Sequence, residues 1–176
     1  DKALTWDDRF PSLALISAPQ GRVSGCIFEH GIATLFAELK KMFRYIIIDA
    51  PRSLGKDIRL LAREASKAII VTTQDYGSLR NCQVIDALLA EEGLSNRSFV
   101  LNMVRSDIFG KGIVPEMDEA VGMLRLPMLG VLPYDDNILI SSSCGYPIVC
   151  KKDSYISDTF FSLVNRLCLG VEIKGL

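Results

Sequence analysis

The chain has 176 residues, 49% of them hydrophobic and 23% charged, which suits a folded domain with an ordinary core and argues against a disordered segment. Twenty Lys and Arg against 21 Asp and Glu leave a formal charge of −1, so direct nucleic-acid binding through a global basic field is not expected. Five scattered cysteines without a C-x-x-C pair, and a single histidine, His30, favour reduced thiols over a disulfide framework and disfavour a zinc site.

The opening "DKALTWDDRF" is too charged for a signal peptide, and no apolar run approaches the ~20 residues of a membrane span. A soluble, cytoplasmic chain is expected. Residue 1 is Asp and no linker-like stretch precedes the first apolar run, so a piece of a longer protein is expected too. "LALIS" (13 to 17) reads as the first strand and 29 to 42 as a helix, with His30 at its start or on its surface. "YIIID" (45 to 49) reads as the second strand, then a helix over 56 to 65, then the strand "KAIIVTT" (67 to 73). A helix over 77 to 92 stops at Gly93, where positive φ is useful, and "FVLNMV" (99 to 104) follows as a strand. Residues 105 to 114 form a polar loop of the kind that carries function. A helix over 115 to 125 takes Pro115 into its first turn and is stopped by Pro127. The strand "MLGVLP" (128 to 133) and helices over 136 to 143 and 154 to 169 complete the chain. Short, two-sided apolar runs alternating with helices predict an α/β fold, a mostly parallel sheet with helices on both faces, in one domain over 1 to 176.

In such a sheet ligands bind beyond the carboxyl ends of the strands. Asp49 ends the second predicted strand, and Pro51 and Gly55 after it force a turn rather than a continued ladder. A carboxylate there can hold hydrated Mg²⁺ or order an attacking water, or it can cap the next helix. Asn102 interrupts an apolar strand, and a buried amide needs partners: the edge of a base offers a donor and an acceptor, and so does neighbouring loop backbone. "LPYDDN" (132 to 137) can wall a base with Pro133 and Tyr134, while Asp136 equally suits the N-cap of the following helix. A phosphate-binding loop needs G-x-x-x-x-G-K-[ST]; "LGKD" (54 to 57) and "FGKG" (109 to 112) both fail it, and no G-x-G-x-x-G occurs.

Taken in order, "LALISAPQ", "ELKKMFRYIIIDAP", "ASKAIIVTTQDYGSLRNCQVI", "FVLNMVRSD", "LRLPMLGVLPYDD" and "SSSCGYPIV" resemble the MinD/ParA family of deviant P-loop ATPases, closest to its septum-site-determining branch. The resemblance implies a SIMIBI-type P-loop NTPase fold whose N-terminal P-loop strand and first switch lie before Asp1. It makes Asp49 the Walker B acid beside Mg²⁺ and the stretch from Pro51 to Gly55 the γ-phosphate switch. It assigns Asn102 to adenine, helped by the backbone of Pro133, Tyr134 and Asp135. It places Ser78, Arg80 and Asn81 on the helix that meets division-site regulators, with Asn81 where the septum-site branch has Asp. ATP and Mg²⁺ are the implied cofactors, with an ATP-driven homodimer and ATP hydrolysis in the complete protein but not in this stretch alone. The family's lipid-anchoring basic helix is expected beyond "VEIKGL", since "SDTFFSLVNRLCLG" carries few basic residues and reads as a packing helix. Two further readings stay open: a non-enzymatic localisation or pilus-assembly scaffold of the same fold, and an ATPase that sets flagellar number.

Overall fold

The computed structural model describes residues 4–17, 29–50 and 55–169. The chain divides into two compact units, Asp1–Ile46 and Ile47–Leu176.

In the first unit, β1 (Thr5–Asp7) pairs antiparallel with β2 (Phe10–Leu15). Arg9 closes the turn by folding back on Asp7: its backbone N–H donates to Oδ1 at 2.9 Å and its Nη2 to Oδ2 at 2.7 Å. The run expected as a parallel strand over 13 to 17 is therefore the second arm of a hairpin and ends at Leu15. Helix α1 (Glu29–Met42) keeps its expected bounds and buries Ile32, Phe36 and Leu39, the i, i+4, i+7 stripe of an amphipathic helix. Trp6 and Phe43 bring their rings to 6.0 Å.

The second predicted strand, 45 to 49, is not one. The segment is extended, but a strand is defined by its ladder, and among the described residues nothing pairs with it. Tyr45 is 63% and Ile47 92% exposed, so the apolar pattern has no neighbour to serve.

The second unit holds a parallel sheet in the order β3 (Ala68–Thr72), β4 (Arg97–Val104), β5 (Met128–Pro133). Helices α2 (Lys56–Glu64), α3 (Tyr76–Glu91) and α4 (Met117–Leu124) cover one face. Ile58, Leu79, Phe99, Leu101 and Leu124 belong to the core cluster there. Burying one such side chain stabilises by roughly 1.5–3 kcal/mol. Helix α5 (Asp136–Ser143) follows β5, and α6 (Tyr155–Leu169) lays Phe160, Leu163 and Leu167 on Val100, Leu129 and Leu132 of the other face. Gly130 permits that approach: a Cβ on it would stand 3.3 Å from Leu163 Cδ1. Helices thus cover both faces of a parallel sheet, as the alternation of elements predicts.

Local chemistry sets most boundaries. Gly93 takes φ +83 after α3, and Arg125 ends α4 in the left-handed region at φ 53. Pro115 lies outside α4 rather than in its first turn, because Glu116 is the N-cap and its carboxylate is drawn back to the Gly110 N–H at 2.6 Å. The expected polar loop after β4 contains a 3-10 turn, Ser106–Ile108.

Candidate functional site

Three strands deliver their carboxyl ends to one edge of the sheet. After β3, Asp75 caps α3: its Oδ1 accepts from the Ser78 N–H at 2.9 Å and its Oδ2 from the Thr73 hydroxyl at 2.5 Å. Those donors hold its carboxyl down at about 2. Beside it the buried Gln74 reaches β4, where its Oε1 accepts from the Arg105 N–H at 2.8 Å and its Nε2 lies 3.5 Å from the Arg105 carbonyl. This side-chain amide does what the next rung of a ladder would do. Arg105 then grips Asp107 at both oxygens, at 3.1 and 2.6 Å, which lowers the Asp107 carboxyl from its ordinary value.

Near its end β4 carries an extra residue. Leu101 pairs with Val131 and Val104 with Pro133, so Asn102 and Met103 together face the single Leu132. Such bulges re-aim side chains and gather near active sites. Met103 sits at φ 56, a left-handed conformation that costs a side-chain-bearing residue ~1–2 kcal/mol. Asn102 is half-buried. Expected to be buried and internally satisfied or bound to a base, it has no side-chain hydrogen-bond partner among the described residues.

Next to it β5 ends in Pro133. The Tyr134 N–H donates to the Val104 carbonyl at 2.9 Å and its hydroxyl to Asp136 Oδ1 at 2.9 Å; that carboxylate raises the phenol above its usual range. The residue is held through its backbone and its hydroxyl and stays 54% exposed. Asp135, not Asp136, caps α5, accepting from the Asn137 N–H at 2.7 Å. Asp136 is committed to Tyr134 instead.

The structure thus gathers Asn102, Pro133, Tyr134 and Asp135 at the ends of adjacent strands. Asp49 is exposed on the unpaired extended segment, and no described hydrogen bond joins it to that group. Gly55 caps α2 through backbone alone, and Pro51 lies outside the described residues. Ser78 is half-buried and spends its N–H on the Asp75 cap, while Arg80 and Asn81 are exposed on α3. Two shallow hollows of about 480 Å³ flank α3, one lined by Arg59, Arg80, Val84 and Glu91 and the other by Asp86, Arg97 and Arg125. Neither includes Asp49 or Asn102.

Sequence reasoning missed Gln74, Arg105 and Met103. A polar residue directly after an apolar strand, as in "VTTQ", was the available signal for Gln74; nothing in "NMVR" announces a bulge.

The strand-end group offers an amide with no side-chain hydrogen-bond partner among the described residues, on the strand next to the one that leads into Tyr134. Among the described residues no cluster of three or more His, Cys, Asp or Glu stands ready for a metal. No described helix is long and apolar enough to cross a membrane.

No protein-family model matches the chain. Along all of its 176 residues it is 31% identical to the septum site-determining protein MinD of Synechocystis and spans 66% of that protein. Other curated MinD relatives are spanned over as little as 55% of their length. In fold it is similar to the MinD chain of the MinC:MinD cell division complex of Aquifex aeolicus, with a TM-score of 0.86 at 24% identity over 99% of this chain and 70% of that one. It is similar in the same sense to MinD of Pyrococcus horikoshii complexed with Mg-ADP, with a TM-score of 0.68 at 23% identity over 80% of this chain and 57% of that one.

Proposed function

The chain belongs to the MinD/ParA family of deviant P-loop ATPases, and from that premise we propose that it is the base-reading and partner-facing part of an ATPase that positions the division septum. The observation that carries this reading is Asn102, an amide with no side-chain hydrogen-bond partner among the described residues, on a bulge at the carboxyl edge of a parallel sheet, on the strand next to the one that leads into Tyr134.

Asn102 reads the adenine edge, while Pro133, Tyr134 and Asp135 wall the base. Asp49 orders the water shell of Mg²⁺, and the segment from Pro51 to Gly55 answers to the terminal phosphate. Bound Mg-ATP supplies the phosphoryl group that water takes. The exposed face of α3 at Arg80 and Asn81 receives a division-site regulator, a role suggested by the Aquifex complex. The complete protein closes into an ATP-bound homodimer at the inner face of the cell membrane.

The test is Mg-ATP turnover by the complete gene product. Asp49→Asn is expected to lower kcat by roughly 10²-fold or more, the scale of losing one transition-state-stabilising group. Asn102→Ala is expected to raise KM for ATP about tenfold, the equivalent of a lost ~1.4 kcal/mol contact, and to weaken discrimination against GTP. Unchanged KM and base preference in Asn102→Ala would remove the nucleotide reading. Normal septum placement in cells lacking the gene would remove the positioning role.

A further inference from the structure

Leu101 and Val104 both belong to the core on the α2–α4 face, and both keep their partners on β5. Between them β5 supplies Leu132 alone, a residue of the opposite face. Asn102 and Met103 therefore leave β4 from one doubled position. The first is a polar amide. The second is an unbranched thioether, 57% exposed and held at φ 56.

An exposed thioether in a strained conformation has no packing reason to be there. Glycine would take that backbone without strain, and a polar residue would suit the exposure. Strain held at a strand end is a mark of function, and thioethers make favourable contacts with aromatic rings. A large ring anchored at this edge is that of Tyr134, whose N–H donates to the Val104 carbonyl and whose hydroxyl donates to Asp136.

We propose that Met103 is a base-contacting residue: its thioether packs against the face of the purine whose edge Asn102 reads, with the Tyr134 ring as the neighbouring wall. The proposal rests on the nucleotide reading above and adds to it the residue that makes the base site apolar. Amide and thioether, delivered together by one bulge, separate two tasks. Asn102 selects by hydrogen bonding, and Met103 supplies affinity that any purine shares.

The test uses the complete gene product and two probes, ATP and adenosine; the latter has no phosphates and isolates the base end. Equilibrium dissociation constants and thermal midpoints are measured for the parent, Met103→Gly, Met103→Gln and Asn102→Ala. Met103→Gly is expected to bind both probes two- to tenfold more weakly while melting roughly 2–4 °C higher as the strain is released. Met103→Gln keeps the strain and the length, so it is expected to bind more weakly at an unchanged midpoint. Parental affinity in both Met103 variants, with Asn102→Ala impaired, overturns this inference and leaves the nucleotide reading standing. Absence of adenosine and ATP binding in the parent itself overturns both.

Discussion

Replacing Gln74 with Leu tests whether a single side chain holds β3 to β4 beyond the last rung of their backbone ladder. Gln74 is 5% exposed, and its Oε1 accepts the Arg105 N–H at 2.8 Å; the second contact, at 3.5 Å, is long enough to add little. Leucine keeps the volume and removes the acceptor, so the Arg105 N–H loses its described partner. Leaving such a donor unsatisfied costs about 1–3 kcal/mol. At a urea m-value of about 2 kcal/mol/M, a cost of about 2 kcal/mol lowers the unfolding midpoint by about 1 M. The assay is urea denaturation at pH 7, with hydrogen exchange at the Arg105 amide as a local reading, expected to accelerate. Gln74→Glu keeps an acceptor for the N–H but turns a second oxygen toward the Arg105 carbonyl, so it should recover part of the loss. A Leu variant whose midpoint stays within about 0.2 M of the parent, with Arg105 exchange unchanged, would refute the clamp.

Asp75→Ala removes the cap of α3 and should cost about 1 kcal/mol at pH 7, a cap-sized loss for an exposed carboxylate screened by solvent. Its folded carboxyl titrates at about 2 against an ordinary 3.8, so this stabilisation is full above the ordinary value and is lost as pH falls through the folded one. Urea midpoints of parent and variant should therefore converge between pH 4 and pH 2, and a gap independent of pH would argue against the cap. Gly130→Val places a branched side chain where even a Cβ meets Leu163 at 3.3 Å and Arg166 Nη1 at 3.7 Å. An overpacking loss of about 1–3 kcal/mol, read as a lower thermal midpoint, is expected; an unchanged midpoint would mean that α6 does not seat against β5.

Elements whose own residues suffice were legible. Helices α1 and α5 fall on their expected bounds, α1 because its buried stripe of Ile32, Phe36 and Leu39 lies within the segment and α5 because Asp135 caps it locally. β3, β4 and β5 were recognisable because their neighbours are each other. The run at 45 to 49 failed for the complementary reason: its composition describes a buried strand, but pairing is a relation between segments that composition does not contain. The pairing of Thr5–Asp7 with Phe10–Leu15 was missed likewise, since three residues of "TWD" carry no periodicity to read. At the site, strand ends were predictable from the alternation of elements, whereas the cap in "YDDN" shifted by one residue because both aspartates satisfy the same rule. The bulge at Asn102 and Met103 depends on register against β5, so it became visible only in three dimensions.

Among the described residues β3 is an outer strand of its sheet, and "AIIVT" contains neither a charge nor a proline. Val71 is 62% exposed there, and Ile69 37%. Unprotected outer strands of β-branched residues are templates for other chains. Studied as an isolated polypeptide, these residues would self-associate in proportion to concentration, adding neighbouring copies rung by rung along β3.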